Sequence, residues 1–85
     1  MNTDIQDLLA FVTVVNAGGF REGARLSGKS ASSLSDAVRR METGLGVRLL
    51  NRTTRRIGLT PDGAGYYQHC VRILADVEEL SLIHI

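Results

Sequence analysis

Nine of the ten basic side chains of this 85-residue chain lie between positions 21 and 56: Arg21, Arg25, Lys29, Arg39, Arg40, Arg48, Arg52, Arg55 and Arg56. Only Glu22, Asp36 and Glu42 oppose them there, a net +6, while the rest of the chain sets Arg72 against six carboxylates, a net −5. The overall charge of +1 hides this asymmetry. Arginine forks paired N–H donors onto phosphate oxygens, so a basic middle between acidic ends is the chemistry of a polyanion-binding surface. Inside that stretch Ser30, Ser32, Ser33, Ser35 and Asp36 form a run of short polar side chains. Such residues let a helix come close to base edges and exchange hydrogen bonds with them. A second cluster, Arg52, Thr53, Arg55 and Arg56, places cations where they can reach phosphates or a narrow minor groove.

Other chemistries lack their parts. His69 and His84 have no companions at metal-ligand spacing, and Cys70 is the single cysteine, so neither a metal cluster nor an internal disulfide is expected. No nucleophile with a positioned base and no glycine-rich phosphate loop is present, so catalysis and cofactor binding are not expected. No signal peptide and no apolar run of membrane-spanning length occurs, which points to a cytoplasmic chain away from membranes. A hydrophobic fraction of 44% suits one small folded domain, and with four aromatic residues the core must be mostly aliphatic.

The elements that must position these residues follow from periodicity. Ile5, Leu8, Leu9, Val12 and Val15 mark an amphipathic helix over 4–16, stopped by Gly18 and Gly19. A short helix over 20–27 offers Phe20, Ala24 and Leu26 to the core. Ser27, Gly28 and Lys29 make a tight turn, and Ser30 caps a third helix over about 31–43, which Gly44 and Gly46 end. Leu34, Val38, Met41 and Leu45 form its inner stripe. Residues 48–60 switch to a β-hairpin, with Ile57 and Leu59 inward and Gly58 outward. Thr60 and Pro61 then start a fourth helix running into the 80s. Its apolar stripe of Tyr67, Cys70, Val71, Leu74 and Val77, with Leu80 and Leu82, exceeds what a three-helix core can cover. A homodimer through this helix is the simplest way to bury the surplus. Arg48 and Glu42 are read as fold supports, Arg40 as either a DNA contact or the partner of a nearby acid, and Cys70 as an apolar residue on the packed face.

The expected fold is therefore mainly α: a winged helix-turn-helix, three helices plus a small hairpin wing, followed by a long linker helix. Residues 1–60 form the DNA-binding domain and 61–85 the linker and dimerisation helix. Three runs, Ser30–Glu42, Leu45–Arg56 and Leu59–Gly63, resemble the signature block of LysR-type transcriptional regulators, and Leu8–Val12 and Ala17–Phe20 are similar to that family too. The resemblance implies sequence-specific binding of double-stranded DNA by a dimeric bacterial regulator. It places base-reading positions at Ser32, Ser33 and Asp36, phosphate contacts at Ser30 and Ser35, and the wing at Arg52, Thr53, Arg55 and Arg56. Arg39 and Arg40 are further candidate contacts. It also implies a C-terminal domain that binds a small-molecule effector, absent here, so the chain reads as a fragment, and Ser81–Ile85, which lacks the charges expected on a linker helix, reads as a truncation or a foreign tail. Ala31 stands where the family often has proline, which leaves the start of the third helix less rigidly fixed. Asp36 replaces a longer polar residue and can accept from a cytosine amino group while repelling phosphate. The alternative reading is a winged-helix pairing module that has lost DNA binding.

Overall fold

The computed structural model describes the backbone of residues 4–52 and 57–83, and side chains through residue 77. Its elements are α1 (Ile5–Ala17), α2 (Phe20–Ser27), α3 (Ala31–Leu45), β1 (Leu50–Arg52), β2 (Ile57–Leu59) and α4 (Pro61–Ile83). This is the helix, helix, turn, helix, hairpin, helix order expected. The tip residues Thr53, Arg55 and Arg56 lie outside the described residues, as do the side chains of Leu80 and Leu82.

Local chemistry explains the boundaries. Asp4 caps α1 by accepting from the Gln6 N–H at 3.1 Å, and Ser30 caps α3 by accepting from the Ser33 N–H at 3.0 Å. Gly28 adopts φ +76° in the turn between α2 and α3, a left-handed conformation that a Cβ disfavours. Thr60 Oγ1 accepts from the Gly63 N–H at 2.8 Å and donates to the Arg48 carbonyl at 2.5 Å, pinning the start of α4 to the base of the hairpin. The strands pair antiparallel, Leu50 opposite Leu59 and Arg52 opposite Ile57. Gly44 does not end α3 as expected. The helix continues to Leu45, because the left-handed residue that stops it is Gly46, whose N–H bonds to the Glu42 carbonyl at 2.8 Å.

The core is built around α1, which packs against α2, α3, α4 and β2. Leu8, Ala10, Phe11, Val12, Val14, Leu34, Ala37, Val38, Met41, Leu49, Leu50 and Cys70 are buried. Phe11 touches both tyrosines of α4, with ring centroids 6.3 Å from Tyr66 and 6.4 Å from Tyr67. Three expectations about this core are corrected. Ile5 and Leu9 are exposed because α3 and α4 cover α1 on the sides bearing Leu8, Phe11 and Val14. Leu26 is 61% exposed: it follows Ala24 by two positions, more than half a turn, so it leaves the face that Phe20, Gly23 and Ala24 present inward.

Cys70 carries a testable consequence. Burial pushes its thiol up to about 11, so little nucleophilic thiolate forms in the folded chain. Modification by a thiol reagent at pH 8 should be slow when folded and rapid in denaturant. The unfolded thiol ionises first, so stability should fall as pH rises from about 9 toward 11, and Cys70→Ala should abolish that component of the fall. Rapid labelling of the folded chain would contradict the burial.

Candidate nucleic-acid interface

Helical periodicity divides α3 into two faces. Leu34, Ala37, Val38 and Met41 recur at i, i+3, i+4 and i+7 and are buried. Ser32, Asp36, Arg39 and Thr43 recur at i, i+4, i+7 and i+11 and are exposed, with Ser33 beside them. The side chains proposed to read bases therefore share one solvent-facing stripe, backed by the packed face that holds the helix rigid. Ser30 spends its hydroxyl on capping this helix and remains exposed. Lys29, in the preceding turn, reaches the Gln6 side chain at 3.4 Å.

Two arginines expected at the interface have partners inside the chain. Arg40 grips Asp7 of α1 with both ends of its guanidinium, at 2.8 and 3.2 Å, and this bond raises the arginine's pKa. Asp7 is 8% exposed and carries a charge in the core, so it requires that partner. Of the two roles open to Arg40, the structure shows the pairing one, which ties α3 to α1.

Arg52 turns away from solvent. Its Nη1 donates to Ser35 Oγ at 3.0 Å, its Nη2 lies 3.6 Å from Glu42 Oε1, and its guanidinium stacks 4.9 Å from the Phe20 ring centre. Its side chain is 21% exposed, and burial pulls its pKa below the usual arginine value despite the nearby carboxylate. The side chain expected on phosphate is thus engaged within the chain, packed against α2 and α3. Glu42 is the support expected of it: Oε2 accepts from the backbone N–H groups of Leu49 at 2.9 Å and Leu50 at 3.2 Å. One carboxylate thereby joins α3 to both the loop before the wing and the wing's first strand.

Sequence reasoning did not find the contact of Ser35 with Arg52 or the stacking on Phe20. These pairs span 17 and 32 positions, and no local spacing signals them. Asp7 could have been found: a carboxylate beside Leu8 on the buried side of an amphipathic helix asks for a cation.

On α4 the expected pairing set splits. Cys70 is fully buried against the chain's own core, and Tyr67 is half-buried with its hydroxyl donating to Asn16 of α1. Those two side chains are engaged by the chain's own α1 and core. Val71 and Val77 are exposed, and Leu74 is half-buried. Among the described residues no helix is long and apolar enough to cross a membrane.

Comparison with known proteins agrees with this architecture. A family model described as bacterial regulatory helix-turn-helix protein, lysR family, matches residues 5–64. An HTH-type transcriptional regulator of Xanthomonas campestris is 49% identical over 79 residues, 93% of this chain and 23% of the relative. The regulator CrgA of Neisseria meningitidis is 43% identical over 77 residues, 91% of this chain and 26% of the relative. The chain thus spans about a quarter of the length of the curated relatives it matches. A crystal structure of BenM_DBD in a benA site 1 DNA complex superposes with a TM-score of 0.89 at 28% identity, covering 95% of this chain and 91% of that one. A CbnR_DBD–DNA complex superposes with a TM-score of 0.88 at 28% identity, covering 92% and 90%. With the match covering most of its length, the chain belongs to the lysR family of bacterial regulatory helix-turn-helix proteins.

Proposed function

We propose that this chain binds double-stranded DNA as the winged helix-turn-helix of a bacterial transcriptional regulator, with α3 in the major groove and the wing on phosphate or in the minor groove. The observation that carries the reading is the exposed stripe of Ser32, Asp36 and Arg39, with Ser33 beside it, on a helix whose opposite face is buried. The DNA complexes of the BenM and CbnR domains, alike in fold over nearly their whole length, support it. Ser32, Ser33 and Asp36 read base edges, Ser30 and Ser35 approach the duplex beside them, and Arg39 with the wing's Thr53, Arg55 and Arg56 supplies the remaining contacts. Residues 1–60 form the binding domain and 61–85 the linker helix. A second copy pairs through Val71, Leu74 and Val77 of α4. The protein works in the cytoplasm, and effector sensing is not assigned to these 85 residues.

Duplex titration over a salt series tests the reading. Six or more phosphate contacts per dimer make log K fall with log salt at a slope of about −5 or steeper. Absence of duplex binding even near 50 mM salt would overturn the proposal and favour a pairing module. Two neighbouring arginines should separate cleanly in the same assay. Arg39→Ala is expected to weaken binding with Tm unchanged, because its side chain is exposed. Arg40→Ala is expected to lower Tm, because it strands the buried Asp7 carboxylate, while leaving the salt slope unchanged.

A further inference from the structure

Arg52 is where α2, α3 and the wing meet: Phe20 lies against its guanidinium face, and Ser35 and Glu42 of α3 lie at its two terminal nitrogens. A cation meant for phosphate would stand free in solvent, and this one is held from three sides. We propose that Arg52 is a positioning residue, which locks the wing's first strand to α3 and sets the Ser35 hydroxyl as a hydrogen-bond donor toward an acceptor on the duplex. The inference rests on the DNA-binding reading.

The polarity follows from the chemistry of the two groups. A guanidinium has donors and no acceptor, so its bond to Ser35 occupies an oxygen lone pair. The positive charge beside Oγ then opposes a second incoming donor and favours an acceptor on the hydroxyl's hydrogen. In the major groove the acceptors are guanine O6 and N7, adenine N7 and thymine O4, whereas the amino groups of cytosine and adenine are donors. A phosphate oxygen is an acceptor too. Ser35 on α3 thus complements Asp36 next to it, which can only accept when ionised. Two adjacent residues of opposite hydrogen-bonding sense give α3 a directional pattern, and Arg52 sets one half of it.

The test compares the 85-residue chain with its Arg52→Lys, Arg52→Ala and Ser35→Ala variants. Each is titrated with duplexes selected from a random pool, over a salt series, with thermal unfolding alongside. Arg52→Lys keeps the charge and loses the fork. It should weaken the preferred duplex about five- to tenfold, the scale of one lost hydrogen bond, with an unchanged salt slope. Its sequence profile should match that of Ser35→Ala, and the double variant should be little worse than either single one. If Ser35 donates to a base, the profile flattens at one position. If it donates to phosphate, affinity falls alike on all sequences. Either result supports the proposal.

Wild-type affinity and profile in Arg52→Lys would overturn it. So would a slope reduced by about 0.9 in Arg52→Ala, the signature of a lost phosphate cation. Should the arginine variants not fold, Ser35→Ala removes the same bond from the other end, and full affinity there overturns the inference. A wild-type chain that binds no duplex overturns the DNA reading and this inference together, whereas a wild-type chain that binds while Ser35→Ala is silent overturns the inference alone.

Discussion

Replacing Gly63 by alanine should destabilise the domain by about 3 kcal/mol or more, while the same replacement at Gly65, two residues along α4, should stabilise it by about 0.5–1 kcal/mol. Both glycines sit in the first turns of one helix, where alanine is intrinsically favoured. They differ in what a methyl group meets. At Gly65 nothing lies within 4 Å. At Gly63 the added carbon would fall 1.9 Å from the Leu49 carbonyl oxygen and 2.8 Å from its carbon. Those atoms are backbone and cannot rotate away. The same carbonyl accepts from the Thr60 N–H at 3.1 Å, so relief requires lifting the start of α4 off the hairpin. That movement breaks this bond and the Thr60 hydroxyl's bond to Arg48 together. Urea unfolding of the two variants measures the contrast. Equal stabilities would mean that α4 does not approach Leu49 so closely.

What was legible in the sequence was what local chemistry decides. Ser30 and Thr60 before their helices, Gly28 in the turn and the alternation of Ile57, Gly58 and Leu59 each act within a few positions of themselves. The elements therefore emerged in order, to within a residue or two at most boundaries. Which face of a helix is buried depends on how many neighbours it has, and α1 has four. A stripe drawn through Ile5 and Leu9 assumed one covering surface, so it left those residues on the wrong side.

The interface divides in the same way. The α3 stripe was readable because a helix that buries Leu34, Val38 and Met41 must expose Ser32, Asp36 and Arg39. The roles of Arg40 and Arg52 were less readable, because charge density alone does not say which cations are committed elsewhere. Asp7 lies 33 positions from Arg40, and Phe20 lies 32 from Arg52. Side chains that close the tertiary structure are set by what meets in space. The basic segment's charge thus includes cations that are paired within the chain.

Glu42→Ala should be the next most damaging change, lowering stability by about 3 kcal/mol and weakening DNA binding beyond what that loss explains. Its carboxylate is 15% exposed and holds the Leu49 and Leu50 N–H groups with one oxygen and faces Arg52 across 3.6 Å with the other. Hydrogen bonds to an ionised acceptor contribute about 1.5–3 kcal/mol each, and the two backbone donors share one oxygen, so the total falls short of their sum. Alanine leaves two backbone donors without their acceptor and removes the counter-charge of a half-buried guanidinium. Glu42→Gln discriminates between these losses. Its amide oxygen can still accept from Leu49 and Leu50, but its NH2 group offers Arg52 a donor where an acceptor stood. The glutamine variant should therefore keep more of the fold's stability than alanine does, yet lose the anchoring of Arg52. Its duplex affinity should fall toward that of Arg52→Lys even at temperatures where it is fully folded. Affinity that simply tracks the folded fraction across the three variants would show that Glu42 acts on stability alone and that the wing needs no fixed seat on α3.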